Sequence, residues 1–140
     1  MTREGLEQQL NRHKAAFAAC DIEALASGHT ADGTFESPAY GIVRGRDAIR
    51  DVYRYWYNGF PGFLLTWDHA LIDVPRASFI WTFDGKSSDH FFGEIKPGTH
   101  VMMTGAAEYL FTDEGIASAR HVFDFSGILT KTGVLKIRPA

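Results

Sequence analysis

In the run RHVFDFSGIL, residues 120–129, Asp124 stands between Phe123 and Phe125 in a stretch that reads as a buried strand. An ionised carboxylate is costly there unless it is paired or useful. The turn Thr112-Asp113-Glu114-Gly115 joins this run to VMMTGAAEYLF, and its glycine suits the left-handed position of a three-residue hairpin loop. Such a loop pairs Thr112 with Ile116, Glu108 with Arg120, Ala106 with Val122 and Thr104 with Asp124. Opposed residues share a face. Glu108, Arg120 and Asp124 are therefore expected on one face, and Tyr109, His121, Phe123 and Phe125 on the other. A two-residue turn would instead set Glu108 beside His121.

Two readings of the acids and the arginine follow. In the first, Glu108 pairs with Arg120, and Asp124 is satisfied by a backbone amide or by Thr104. In the second, apolar surroundings prepare a carboxylate to exchange protons near neutrality. His13 adds a further ionisable group, since it recurs with Leu6, Leu10 and Phe17 at helical spacing on an inward stripe. It reads as a core histidine or as a cavity donor.

The elements that must carry these groups run helices first, strands later. A helix is expected from residue 4 to about 19. Asp21 caps a short one over IEALASGH, and TFES is a brief strand stopped by Pro38. RDAIRDVYRYWYNGF puts Ile49, Val52, Tyr53, Trp56 and Tyr57 on one face and ends at Asn58-Gly59, while GIVRGRD reads as its lead-in. After Pro61 the pattern is antiparallel sheet, with an irregular, glycine-marked loop over SDHFFGEIKPGTH. The expected fold is α+β: one domain over residues 1–140, three helices on one face of a curved antiparallel sheet, and a pocket at the open end. Phe35, Tyr53, Trp56 and Trp81 are expected to wall that pocket and stack on a flat ligand, or simply to pack the core.

Composition excludes other classes. The 14 Lys and Arg are dispersed among 17 acids for a net charge of −3, which gives no basic face for nucleic acid or anionic membrane. No apolar run approaches a membrane span, and MTREGLEQQL has no apolar signal region. A single cysteine, Cys20, excludes an internal disulfide and fits a reducing cytoplasm. The six histidines lack metal-site spacing, so no metal is expected. No glycine-rich phosphate loop or nucleophile elbow occurs.

DIEALASGHTADGTFESPAYGIVRGRDAIRDVYRYW and the later EYLFTDEGIASARHVFDFSGIL resemble the SnoaL-like polyketide cyclase group. That group belongs to the nuclear-transport-factor-2-like superfamily, which includes ketosteroid isomerase. The resemblance covers about residues 5 to 130 and implies a cone-shaped α+β fold, a homodimer and a cavity for a small hydrophobic molecule. Asp124 matches the acid/base aspartate of cyclase-like members. The carboxylate base of ketosteroid isomerase corresponds to Ser37, and its oxyanion donors to His13 and Glu108. Serine cannot replace that base, so steroid isomerisation is not expected. The family's Gln-Leu-Gly ending is replaced by LTKTGVLKIRPA. The resemblance thus implies a cofactor-independent isomerase or cyclase acting on an apolar carbonyl compound. Asp124 would be its general acid/base, and Glu108, His13 and Arg120 would donate hydrogen bonds. The alternative is a hydrophobic-ligand-binding or dimerisation domain with no turnover.

Overall fold

A computed structural model describes residues 1–138. Helix α1 (Arg3–Ala18) starts at Thr2, whose hydroxyl accepts the Gly5 amide at 3.0 Å. Its buried stripe holds Leu6, Leu10, His13 and Phe17, as the spacing predicts. Helix α2 (Ile22–Ser27) is capped by Asp21, whose carboxylate accepts the Ala24 amide at 3.0 Å. Strands β1 (His29–Ser37) and β2 (Gly41–Arg44) form an antiparallel hairpin, so the start of GIVRGRD is strand rather than lead-in alone. Helix α3 (Arg46–Gly59) buries Ile49, Val52, Tyr53 and Tyr57. It ends where a side chain would collide with its neighbour: a Cβ on Gly59 would lie 2.5 Å from the Phe91 ring.

Strands β3 (Leu64–Trp67), β4 (Leu71–Asp73), β5 (Arg76–Lys86), β6 (His100–Thr112) and β7 (Gly115–Val122) follow. The sheet runs β2-β1-β7-β6-β5-β3, with β4 also on β5. It is curved and unclosed, and α1, α2 and α3 cover its concave side. One pair departs from the antiparallel expectation. β1 lies parallel to β7, with Phe35 opposite Ala119 and Glu36 opposite Arg120. Parallel neighbours need a long crossover, and most of the chain lies between these two strands.

The β6–β7 hairpin combines both expected turns. Thr112 pairs with Gly115 across a two-residue turn, not with Ile116. One extra residue in β7, Ala117, then restores the register. Glu108 faces Arg120 and Ala106 faces Val122, as counted from the longer loop. The strand expected through Phe125 stops at Val122, and a fourth helix, α4 (Phe125–Thr132), begins instead.

Alternation sorts the sheet into two chemistries. Phe79, Trp81, Phe83, Tyr109, Phe111 and His121 point inward and are buried. Ile80, Met102 and Val122 point outward and are more than half exposed. Trp81 has room because Gly105 lies opposite it; any Cβ at residue 105 would overlap the indole.

Candidate functional site

The inward stripe of α1, the first residue of β1, the middle of α3 and the inner face of β5–β7 converge on one buried cluster of polar rings. His29, 0% exposed, starts β1, and its Nε2 lies 2.7 Å from the Tyr53 hydroxyl of α3. The same hydroxyl lies 3.3 Å from His13 Nε2. On the sheet side, the Trp81 indole donates to His121 Nδ1 at 3.1 Å, and His121 Nε2 lies 3.0 Å from the Tyr109 hydroxyl. His13 links the two halves, with ring centroids 5.5 Å from His29 and 5.7 Å from Tyr109.

Proton positions follow from donor chemistry. An indole N–H can only donate, so His121 Nδ1 is bare and the neutral ring carries its proton on Nε2. His121 therefore donates to Tyr109, whose own hydroxyl proton has no acceptor among the described residues. Tyr53 carries one proton between two imidazole nitrogens. It donates to one and accepts from the other, so His13 and His29 hold opposite tautomers.

Burial sets the charge state. Loss of solvation pushes His29 down to about 4 and His121 to about 3, with Arg46 and His29 respectively adding repulsion. His13 is held well below its ordinary value by burial first, then by His29 and His121. Desolvation likewise holds the Tyr53 and Tyr109 phenols protonated, well above their ordinary range. At neutral pH the whole cluster is uncharged.

A cavity of about 60 Å³ opens beside this cluster, and its walls include Phe35, Tyr53, Trp56, Trp81, His121 and Ser37. The four aromatic residues expected to wall a pocket all line it. His121 stacks on Phe35 at 5.1 Å. Trp56, Leu65, Met103 and Phe123 are the lining residues only partly buried, and they form the mouth. The volume falls below the roughly 150 Å³ that holds a benzene ring in an engineered apolar cavity. Admitting a ligand therefore requires the mouth to open, and the flexible thioether of Met103 is suited to moving.

The other expected site residues lie elsewhere. Asp124, expected on a strand facing the pocket, is exposed and N-caps α4, accepting the Gly127 amide at 2.9 Å and the Ser126 hydroxyl at 3.0 Å. The physical reason is local. In Asp-Phe-Ser-Gly the Ser126 hydroxyl and the Gly127 amide are both donors to the carboxylate, and a helix start uses them better than a strand would. Glu108 and Arg120 face each other in register but sit on the outer face. Glu108 pairs with Arg76 at 3.1 Å and Arg120 with Glu36 at 3.0 Å, all partly or largely exposed. The expectation of acids and His13 aimed at one cavity is thus corrected: of these residues only His13 is buried, and it reaches the aromatic cavity through Tyr53 rather than lining it. Sequence reasoning placed His121 and Tyr109 together on the opposite face but did not assign them a role. The signal was present, since that face carries no charged side chain and sets His121 among Tyr109, Phe111 and small apolar residues.

Among the described residues no three or more His, Cys, Asp or Glu converge as a metal site, and no helix is long and apolar enough to cross a membrane. Cys20 is exposed just beyond α1.

A curved, open sheet wrapped on three helices around an aromatic cavity defines the nuclear-transport-factor-2-like, or ketosteroid-isomerase-like, class of domain. Within it, this chain belongs to the SnoaL-like domain family, whose model matches residues 10–119. Three solved structures share the fold. A SnoaL-like polyketide cyclase candidate from Jannaschia sp. CCS1 superposes with a TM-score of 0.82 at 13% identity, covering 94% of each chain. AclR, a hydroxylase candidate from Streptomyces galilaeus, gives 0.81 at 18% identity over 99% of this chain and 87% of its own. A ketosteroid-isomerase-like protein from Catenulispora acidiphila, in complex with trimethylamine, gives 0.76 at 19% over 94% and 98%. No functionally curated protein matches the sequence.

Proposed function

We propose that this protein is a small acid/base enzyme of isomerase or cyclase type, acting on a flat, apolar carbonyl compound held in the aromatic cavity. The observation that carries this reading is the buried His29–Tyr53–His13 and Trp81–His121–Tyr109 network, with Tyr53 and His121 on the cavity wall. A hydrophobic core alone does not need five titratable rings in mutual contact, and groups of this kind cluster where protons are moved. Neutral imidazoles and protonated phenols suit the task. They can donate to an enolate-like oxygen and accept a proton without first losing one to solvent. Such proton transfer needs no cofactor.

Tyr53 is the candidate acid/base on the α3 wall, backed by two histidines. His121, held between the Trp81 indole and the Tyr109 hydroxyl, is a candidate positioning residue whose ring forms part of the wall against the ligand. Asp124, Glu108 and Arg120 have no part in this scheme, because their side chains are engaged on the outside.

The test is solvent deuterium incorporation next to the carbonyl of flat cyclic ketones and polyketide-like esters. Wild type is expected to incorporate label, and Tyr53→Phe, which keeps the ring, is expected to lose at least about 100-fold in rate while still binding. Binding is read from quenching of Trp56 and Trp81 fluorescence. Quenching without incorporation across the panel would remove the enzyme reading. It would favour the second one, a non-catalytic hydrophobic-ligand carrier, which draws support from the polar atoms of the wall being paired among themselves.

A homodimer accompanies this proposal. Ile80, Ala106 and Val122 form one outward row with Met102 nearby, flanked by the Arg76–Glu108 and Arg120–Glu36 pairs. An apolar strip with a charged rim suits self-association. Sedimentation of Ile80→Glu as a monomer beside a wild-type dimer would support it; a monomeric wild type would end it. The single thiol is compatible with work in a reducing cytoplasm.

A further inference from the structure

His13 has two ends, and the Tyr53 hydroxyl accounts for one. Its Nε2 faces Tyr53, but its Nδ1 is buried with no partner among the described residues. Beside Nδ1 lies Gly28, where a Cβ would come within 3.2 Å of that nitrogen. A second cavity of about 250 Å³ opens here, between α1, the end of α2 and the β6–β7 turn. Gln9, Arg12, His13, Ser27, Gly28 and Glu114 are among its walls. Gln9 fixes its amide by donating to the Thr112 carbonyl at 2.7 Å, which leaves Gln9 Oε1 buried and also without a partner. Two of the four unpartnered buried side-chain polar atoms among the described residues thus belong to residues lining one polar cavity. Buried polar groups of this kind are ordinarily satisfied by water, and this cavity is roomy enough for several molecules.

We propose that this cavity is a water-filled proton port, through which His13 Nδ1 exchanges protons with solvent and recharges Tyr53 from behind. The proposal rests on the acid/base reading of Tyr53. When Tyr53 gives its hydroxyl proton to a substrate carbanion, the phenolate oxygen takes the proton from His13 Nε2. His13 Nδ1 then takes one from port water, and that water draws one from bulk. One proton has moved from solvent to substrate, every protein group is again neutral, and His13 has changed tautomer. Run backwards, the same steps discharge a substrate proton to solvent and reset the ring. His29, hydrogen-bonded to the same hydroxyl, keeps its tautomer throughout, its bare Nε2 accepting from Tyr53. The port separates proton traffic from ligand traffic. The apolar mouth at Met103 and Phe123 can stay closed over a bound molecule while protons cross from the far side of His13.

The test uses Gly28→Ala in the full chain. Gly28 has φ −69°, an ordinary helical value, so alanine suits the backbone while its methyl group covers His13 Nδ1. Imidazole N–H exchange with solvent is followed by NMR on isotope-labelled histidine, without ligand. In wild type the His13 ring proton is expected to exchange much faster than that of His121. In Gly28→Ala its exchange should slow at least about tenfold, because it must then wait for a local opening. Gln9→Leu, which fills the port with an apolar body far from the aromatic cavity, gives the same measurement if Gly28→Ala perturbs the fold. Unchanged His13 exchange in folded variants overturns the port. Slowed exchange, with wild type incorporating no label from deuterated solvent into any carbonyl substrate, leaves the port standing and removes the enzyme reading. Slowed exchange together with label incorporation that slows in step, at unchanged binding, supports both.

Discussion

The two faces of strands β5, β6 and β7 are built from the same backbone and obey opposite rules. Inward, Trp81, Tyr109 and His121 are buried, uncharged and hydrogen-bonded to one another. Outward, Glu108, Arg120 and their partners are charged and meet water. The outer pairs gain little, because solvent screens them and would serve either partner alone. The inner groups have no such substitute, so every removed partner leaves a buried atom unpaired. Side chains two positions apart along a strand share a face, whereas His121, one position from Arg120, lives in a different solvent.

The sharpest way to break this contrast is acid. His29 titrates at about 4 and His121 at about 3 in the fold, and His13 lies well below its ordinary value, whereas the unfolded chain takes up these protons near pH 6.5. Their folded values are lowered, so stability is undiminished above about pH 6.5. It falls as pH drops from there toward 4, where His29 begins to protonate within the fold. The slope is about 1.4 kcal/mol per pH unit for each histidine, or about 4 kcal/mol for three. Urea midpoints at pH 5 and 7 check this, and a flat profile would show that the cluster is hydrated or already charged.

Next in size is His121→Phe, which keeps the ring volume but strands the Trp81 indole N–H and the Tyr109 hydroxyl. A loss of about 2–6 kcal/mol in urea unfolding is expected, at about 1–3 kcal/mol for each of the two orphaned groups. Asp124 should behave as a cap. Asp124→Ala is expected to cost about 1 kcal/mol and Asp124→Asn only a few tenths, since asparagine caps about as well. Equal loss of deuterium incorporation in both variants would instead return Asp124 to the chemistry. Smallest of all, Glu108→Gln and Arg120→Gln should each change stability by less than about 1 kcal/mol and leave ligand quenching unaltered. A larger change in either would blur the contrast.

Much of this was legible in the chain. Helical periodicity put His13 on the inward stripe of α1, and hairpin counting separated Glu108 and Arg120 from Tyr109 and His121. Which face is the inner one is not marked within the hairpin, because a carboxylate row and an aromatic row can each line a pocket until the helices cover one of them. Phe123 and Phe125 made Asp124 read as strand. The competing signal, the carboxylate of Asp-Phe-Ser-Gly and a helix ending at Gly133, needed the backbone path to be decisive. Tyr53 pairing with His29 was beyond reach, since β1 meets α3 only through tertiary packing. The wholly antiparallel sheet failed for the same cause: no local pattern announces that β1 lies beside β7.

That parallel pair also shapes how the chain reaches its native state. β1 begins at residue 29, yet the strand it pairs with starts at residue 115, beyond every other strand of the sheet. On a ribosome β1 must therefore wait, with its inner edge unpaired, until residues 115–122 have been synthesised. Contacts so distant along the chain slow folding and lengthen the exposure of apolar strands. The late hairpin is accordingly the piece whose arrival lets the cone close, and sequence changes there should be felt first in the yield of folded protein.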